Sequence, residues 1–231
     1  MRPPKPARHD LLLVAPADWP AVLAALPGRP ELPPDAAALV RGWAEAGRPV
    51  IARRPAPGDA PGAVPAGLPL PPSLGKGRVA LLIPAGVPWR PVPPVTLAEA
   101  ATLAPAPWHG AIDALLRLAD AVGLVPRVFG ALLWRAKTGL PYLGPGSDLD
   151  LLWPAEDGGA MGSLLDGLGP IAAAAPMAVD GEVLTPFGGV QWRELAAARR
   201  GGGGAVLAKS LDRAGFVRAE AILGAEAPAC R

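Results

Sequence analysis

Apolar residues in this chain follow two spacings that alternate along it. His9 to Val14, Pro49 to Arg53 and Arg78 to Ile83 are short, nearly continuous apolar runs bounded by proline, glycine or charge, which predicts buried strands. Between the first two, the spacing becomes helical. Asp18 is placed to cap a helix to Leu26, with Pro20 tolerated in its first turn. Asp35 is placed to cap a second helix over Ala36 to Ala46, and Gly47 supplies its stop. Residues 55–72 hold many prolines and glycines and predict a loop. Pro84 to Pro94 is a second proline-dense stretch, which divides the chain into expected domains at 1–88 and 89–231.

The second half opens on Thr96-Leu97-Ala98-Glu99, a capping box. Pro105 and Pro107 end that helix, and another follows from about Trp108. Its apolar face is Ile112, Leu115, Leu116, Ala119 and Val122, and Gly123 closes it. Val125 to Phe129 predicts a strand ending at Gly130, Ala131 to Lys137 a helix, and Thr138 to Ser147 a loop into a strand at Asp148. Gly158 to Ala175 predicts a helix weakened at Gly169-Pro170. Met177 to Leu184 predicts a strand pair or hairpin around Asp180-Gly181. Arg193 to Arg200 predicts a helix closed by four glycines, and Ala205 to Lys209 a last clear strand. The order predicts an α/β (α+β) fold, a small N-terminal α+β domain followed by a domain with a small mixed sheet.

Composition narrows the classes. At 231 residues and 51% apolar, the chain can bury a core. Its 32 prolines and 29 glycines fit long irregular connections. A net charge of +2 with scattered basic residues gives no reason to expect a nucleic-acid partner. No apolar run approaches a membrane span or a signal-peptide core, so a cytoplasmic protein without a membrane partner is expected. Cys230 is the single cysteine, which excludes an internal disulfide and a cysteine metal site.

The densest chemistry is in Gly146-Ser147-Asp148-Leu149-Asp150-Leu151-Leu152-Trp153. On a strand, Asp148 and Asp150 share a face. Two carboxylates at about 4 Å repel by roughly 1 kcal/mol in water and about 4 kcal/mol at a protein surface. A divalent cation such as Mg²⁺ (or Mn²⁺) offsets that repulsion and leaves coordination positions for phosphate oxygens. Gly130, between a strand and a helix, allows close approach of a phosphate to backbone N–H groups, although a plain tight turn is the commoner use of such a glycine.

A strand–glycine–helix turn followed by a strand bearing Asp-x-Asp resembles the nucleotidyltransferase superfamily, the polymerase β-like fold. Longer segments narrow the resemblance. They are Arg8-His9-Asp10-Leu11, Arg48-Pro49-Val50, Leu68 to Arg78, Phe129 to Trp134, Thr138 to Leu143, Ser147 to Trp153, Asp180-Gly181-Glu182 and Val190 to Glu194. Together they resemble the malonate decarboxylase holo-acyl-carrier-protein synthases, the phosphoribosyl-dephospho-CoA transferases. The resemblance implies transfer of the 2′-(5″-triphosphoribosyl)-3′-dephospho-CoA prosthetic group to a serine of the apo acyl-carrier subunit of malonate decarboxylase, with release of pyrophosphate. It implies Asp148 and Asp150 as metal ligands, a third carboxylate from Asp180 or Glu182, and Gly130 and Ser147 at the substrate. Ala131 stands where the superfamily usually places a serine, and the gap from Gly130 to Asp148 is longer than usual. The equivalent citrate lyase synthase, a generic small-molecule nucleotidyltransferase, and a nucleotide- or carrier-binding module without turnover are the alternatives.

Other residues carry less. Lys76 and Arg78, after a Ser-Leu-Gly turn, could contact phosphates or the adenine end, or be solvated charges at a strand edge. Lys209 is a candidate phosphate contact. Arg53 and Arg54 are expected to be surface charges, and the tryptophans to fill cores. His9 and His109 lack neighbours at ligand spacing, the Gly201 to Gly204 run lacks a phosphate-loop pattern, and Cys230 has no expected role.

Overall fold

The structure, a computed structural model, describes residues 5–28, 31–155 and 158–224. Cys230 lies outside them. The chain forms two compact units: Met1–Pro94 with Lys137–Tyr142, and Val95–Ala136 with Leu143–Arg231.

The first unit is built on β1 (Leu11–Val14), α1 (Trp19–Ala24), α2 (Pro34–Arg41), β2 (Val50–Ala52), β3 (Val64–Pro69), β4 (Arg78–Ile83) and β5 (Trp89–Val92). Its sheet has the order β4-β3-β2-β1-β5, with every neighbouring pair antiparallel. Leu11, Leu12, Val14, Val50, Ala66, Leu68, Leu81 and Ile83 are buried in it. Two indoles fasten the helical layer, with Trp19 Nε1 donating to the Val40 carbonyl at 2.9 Å and Trp43 Nε1 to the Pro49 carbonyl at 3.0 Å.

Several expectations for this half are corrected. Residues 55–72 are not all loop, since β3 runs through them as an interior strand despite Pro65 and Pro69. The Pro65 carbonyl accepts from Arg53 N–H, so the odd-numbered residues of β3 direct their polar groups toward β2. That strand is only three residues long and pairs at Ala66 and Gly67. The two missing N–H groups therefore fall where β2 scarcely reaches, while the β4 side keeps its donors. Likewise, β5 lies in the proline-dense stretch 84–94 and pairs with β1. Asp35 does not cap α2. Pro33 occupies the N-cap position, Asp35 sits in the first turn, and the helix ends at Arg41 rather than Ala46. Asp18 is at the N-cap of α1 but its side chain makes no capping bond. Arg53 is not a free surface charge. Its guanidinium grips Asp59 through Nη1 to Oδ2 at 2.8 Å and Nη2 to Oδ1 at 2.6 Å, and holds that carboxyl below its usual pKa. Tyr142, also in this unit, is buried and donates to the Pro69 carbonyl at 2.7 Å. Burial pushes its phenol up to about 12, against a weaker opposing pull from Arg48.

The second unit contains α3 (Leu97–Ala100), α4 (His109–Val122), β6 (Arg127–Phe129), α5 (Gly130–Thr138), β7 (Leu149–Pro154), α6 (Gly158–Ala174), β8 (Val179–Thr185), β9 (Gly188–Gln191), α7 (Trp192–Arg200), β10 (Ala205–Lys209), β11 (Ala214–Arg218) and α8 (Ala219–Leu223). The last two residues of α5 group with the first unit. The capping box at Thr96 forms, with Glu99 N–H on Thr96 Oγ1 at 3.2 Å and Thr96 N–H on the Glu99 carboxylate at 2.7 Å. Gly123 closes α4 at φ +67°. Six strands run in the order β11-β10-β9-β8-β7-β6, and only β7 and β8 are parallel. A parallel pair needs a long return connection, and α6, unbroken by Pro170, provides it. The sheet is mixed, as the sequence predicts.

Strand register sorts the side chains of this sheet onto two faces. Val128, Leu149, Leu151, Trp153, Val179, Val183, Val190, Val206 and Ala208 share one face and are buried. The opposite face carries Phe129, Asp150, Asp180, Glu182, Gln191 and Lys209. Met177 to Leu184 is no hairpin, because Asp180-Gly181 lies inside the single strand β8 and the reversal comes between Thr185 and Gly188. Ala205–Lys209 is not the last strand either, since β11 and α8 follow. Among the described residues no helix is long and apolar enough to cross a membrane.

Candidate active site

The site is assembled where β6, β7 and β8 lie side by side. In the β7–β8 ladder Asp150 is abreast of Asp180, and Phe129 of β6 is abreast of Asp150 on the other side. Neighbouring strands lie about 4.8 Å apart and matched residues point to the same face, so the two carboxylates are adjacent. Charges at about 5 Å repel by about 3 kcal/mol at a protein-surface dielectric. Asp148 is exposed immediately before β7, two residues from Asp150 and thus on the same side of an extended chain. Asp150 and Asp180 are half-buried.

Two glycines make this packing possible. At Gly130, φ is +62°, and an added Cβ would run into the Asp150 carboxylate. Helix α5 thus begins on the residue against which Asp150 is seated. At Gly181, φ is +144°, and a Cβ would collide with the Leu151 carbonyl of β7. The glycine of Asp180-Gly181 therefore serves the close approach of two parallel strands, where the sequence suggested a turn.

Hydrogen bonds orient one carboxylate clearly. Asp180 Oδ1 accepts from the Gly181 N–H and from Gln191 Nε2, each at 2.8 Å. Ser147 closes a tight turn, its Oγ accepting from Gly144 N–H at 2.9 Å while its own N–H donates to the Gly144 carbonyl at 3.0 Å. That turn delivers the chain into Asp148. Glu182, two residues beyond Asp180, is buried and abreast of Leu152 and Gln191, so it is one step removed from Asp150.

The other sequence candidates lie on other elements. Lys209 shares this face of the sheet but pairs with Gly189, which pairs with Leu184. It is four residues along and two strands across from Asp180, on the order of 16 Å at standard strand spacings. Lys76 and Arg78 are exposed residues of the first unit, with Lys76 left-handed at φ +53° after the Gly75 turn.

Among the described residues, no group of three or more His, Cys, Asp or Glu side chains closes around a common metal position. The local donors are carboxylate oxygens from Asp148, Asp150 and Asp180. A hard divalent cation held by two carboxylates, with its remaining positions left to phosphate and water, fits such a donor set. Sequence reading missed Gln191, giving it no role; its signal was its place at the start of a helix with Glu194 three residues on.

Comparison with known proteins adds to the geometry. Residues 7–90 match the phosphoribosyl-dephospho-CoA transferase MdcG N-terminal domain and residues 96–220 the C-terminal domain of the same name. A phosphoribosyl-dephospho-CoA transferase of Bradyrhizobium diazoefficiens is 39% identical over 90% of this chain and 88% of its own length. Proteins of that name from Xanthomonas campestris pv. campestris and Xanthomonas euvesicatoria pv. vesicatoria are each 39% identical. They cover 71% and 82% of this chain and 78% and 85% of their own lengths. No solved structure matches the chain. Matched over both halves, the chain belongs to the phosphoribosyl-dephospho-CoA transferase MdcG family and is a transferase enzyme.

Proposed function

We propose that this enzyme moves the phosphoribosyl-dephospho-CoA group from its triphosphate onto a serine of the apo acyl-carrier subunit of malonate decarboxylase, in the cytoplasm. The serine oxygen forms a bond to the α-phosphorus, the bond to the β-phosphate bridging oxygen breaks, and pyrophosphate leaves. The observation that carries this reading is the abreast placement of Asp150 and Asp180, with Asp150 seated on Gly130. Acidic oxygens are thereby gathered on one face, where a triphosphate needs its negative charge offset.

Asp148 and Asp150 would hold Mg²⁺ or Mn²⁺, which supplies charge neutralisation for the triphosphate and the leaving pyrophosphate. Asp180, steadied by its two donors, would complete that site or accept the serine proton as the phosphodiester forms. Gly130, with no side chain, leaves room for the Asp150 carboxylate against the start of α5, where a phosphate would approach beside it. At about 16 Å from Asp180 along and across standard strands, Lys209 is a poor candidate to share one phosphate with it.

The test is a set of incubations with triphosphoribosyl-dephospho-CoA and purified apo carrier subunits of malonate decarboxylase and, separately, citrate lyase. The proposal predicts a mass gain on one serine of the malonate decarboxylase carrier, one pyrophosphate per transfer, and loss of both with EDTA. Preferential modification of the citrate lyase carrier would reassign the partner. Binding without a mass change would remove the transfer reading.

A further inference from the structure

Four consecutive residues, Gln191-Trp192-Arg193-Glu194, tie the start of α7 to the strands beside it. Trp192 Nε1 and Arg193 Nη2 both donate to the Val179 carbonyl, at 3.3 and 3.0 Å, and the guanidinium lies 4.4 Å from the Trp192 ring centroid. Glu194 Oε1 accepts from Leu207 N–H of β10 at 3.1 Å. Gln191 is held at both ends. Its Oε1 accepts from Glu194 N–H at 2.9 Å, as the N-cap of α7, and its Nε2 donates to Asp180 Oδ1 at 2.8 Å. The backbone at Val179 and the side chain at Asp180 are thus anchored by neighbouring residues of one helix turn.

Capping alone does not call for glutamine. Ser, Thr, Asn and Asp are the favoured N-cap residues, and their short side chains would satisfy Glu194 N–H. The longer side chain allows one amide to cap the helix and still reach the carboxylate. The carboxylate needs such a partner, because the terminal torsion of aspartate is soft. The other donor to the same oxygen, Gly181 N–H, belongs to the very next residue and moves with Asp180.

We infer that Gln191 is a positioning residue for the transfer reaction, setting the orientation of the Asp180 carboxylate abreast of Asp150. The inference rests on the proposed role of the carboxylates. Gln191→Ser isolates it, since the shorter, uncharged side chain keeps an oxygen for the helix cap but cannot reach the carboxylate. With the full-length enzyme, triphosphoribosyl-dephospho-CoA and apo carrier, Gln191→Ser lowers kcat by about 10- to 100-fold. KM for the nucleotide stays within about twofold and the melting temperature is unchanged. In an Asp180→Asn background, the same substitution costs nothing more, because the group it positions is already gone.

Multiplied losses in the double variant, or a fall in melting temperature with kcat retained, would overturn the inference while leaving the proposed function standing. Wild-type turnover by Asp180→Asn alone would instead remove the reading on which it rests. A second measurement needs no activity. The Gln191 side-chain amide resonance exchanges slowly with solvent in the wild type and loses at least tenfold of that protection in Asp180→Ala, which has no acceptor there. Equal protection in both proteins would contradict the contact.

Discussion

Replacing Gly130 by alanine tests the seat of Asp150 with a single methyl group. Two costs arise. A non-glycine residue at φ +62° is in the left-handed region, which costs roughly 1–2 kcal/mol. The methyl also occupies space filled by the Asp150 carboxylate, and turning that side chain off its rotamer costs about 0.5–1.5 kcal/mol. The expected loss of stability is therefore about 1.5–3.5 kcal/mol, read from urea denaturation. The functional loss is larger, since a displacement near 1 Å at a reacting centre costs on the order of 100-fold in rate. Gly123→Ala separates the two terms. Gly123 has φ +67° with nothing within 4 Å of an added Cβ, so it bears the backbone cost alone and keeps wild-type pyrophosphate release. If Gly130→Ala turned over within about threefold of wild type, or Gly123→Ala lost as much, the seat would have no catalytic meaning.

Tyr142 is the only tyrosine in the chain, so ultraviolet titration of tyrosinate reads it directly. Its midpoint is expected at about 12, and a transition near the ordinary value of about 10 would refute its burial. Because the folded value is raised, the associated stability is complete below about pH 10 and is lost as pH rises through about 12. Asp59→Asn should cost about 1–2 kcal/mol at pH 7 by loosening the Arg53 clamp. Since the clamp lowers the Asp59 pKa, this difference is present above the ordinary carboxylate range and closes as pH falls through the lowered value. A pH-independent difference in denaturation would argue against an ionic clamp. Lys209→Ala should leave the KM for triphosphoribosyl-dephospho-CoA within about twofold, and a tenfold rise would bring that residue into the nucleotide site.

What could be read from sequence had local causes. The Thr96 capping box and the Gly123 stop each depend on a few consecutive residues, and both form. The spacing of Asp148 and Asp150 is likewise local, although Asp148 lies just before β7 and only Asp150 within it. What could not be read depends on partners distant in sequence. Strand β3 looks like a loop until β2 proves too short to miss the N–H groups of Pro65 and Pro69. Asp180-Gly181 looks like a turn until β7 lies beside it, close enough to require glycine for contact. Gln191, two residues before the helix expected from Arg193, has no expected role until its amide is seen to reach Asp180, eleven positions back. The side chain opposing Asp150 was therefore visible as a candidate, but what holds it in place was not.

The most direct trial of the two-carboxylate centre is intact-mass analysis of the apo carrier after incubation with triphosphoribosyl-dephospho-CoA, Mg²⁺ and either wild-type enzyme or Asp150→Asn. The account predicts a phosphoribosyl-dephospho-CoA adduct on one serine with the wild type, and essentially unmodified carrier with a variant that melts at the wild-type temperature. Comparable modification by both proteins would contradict it.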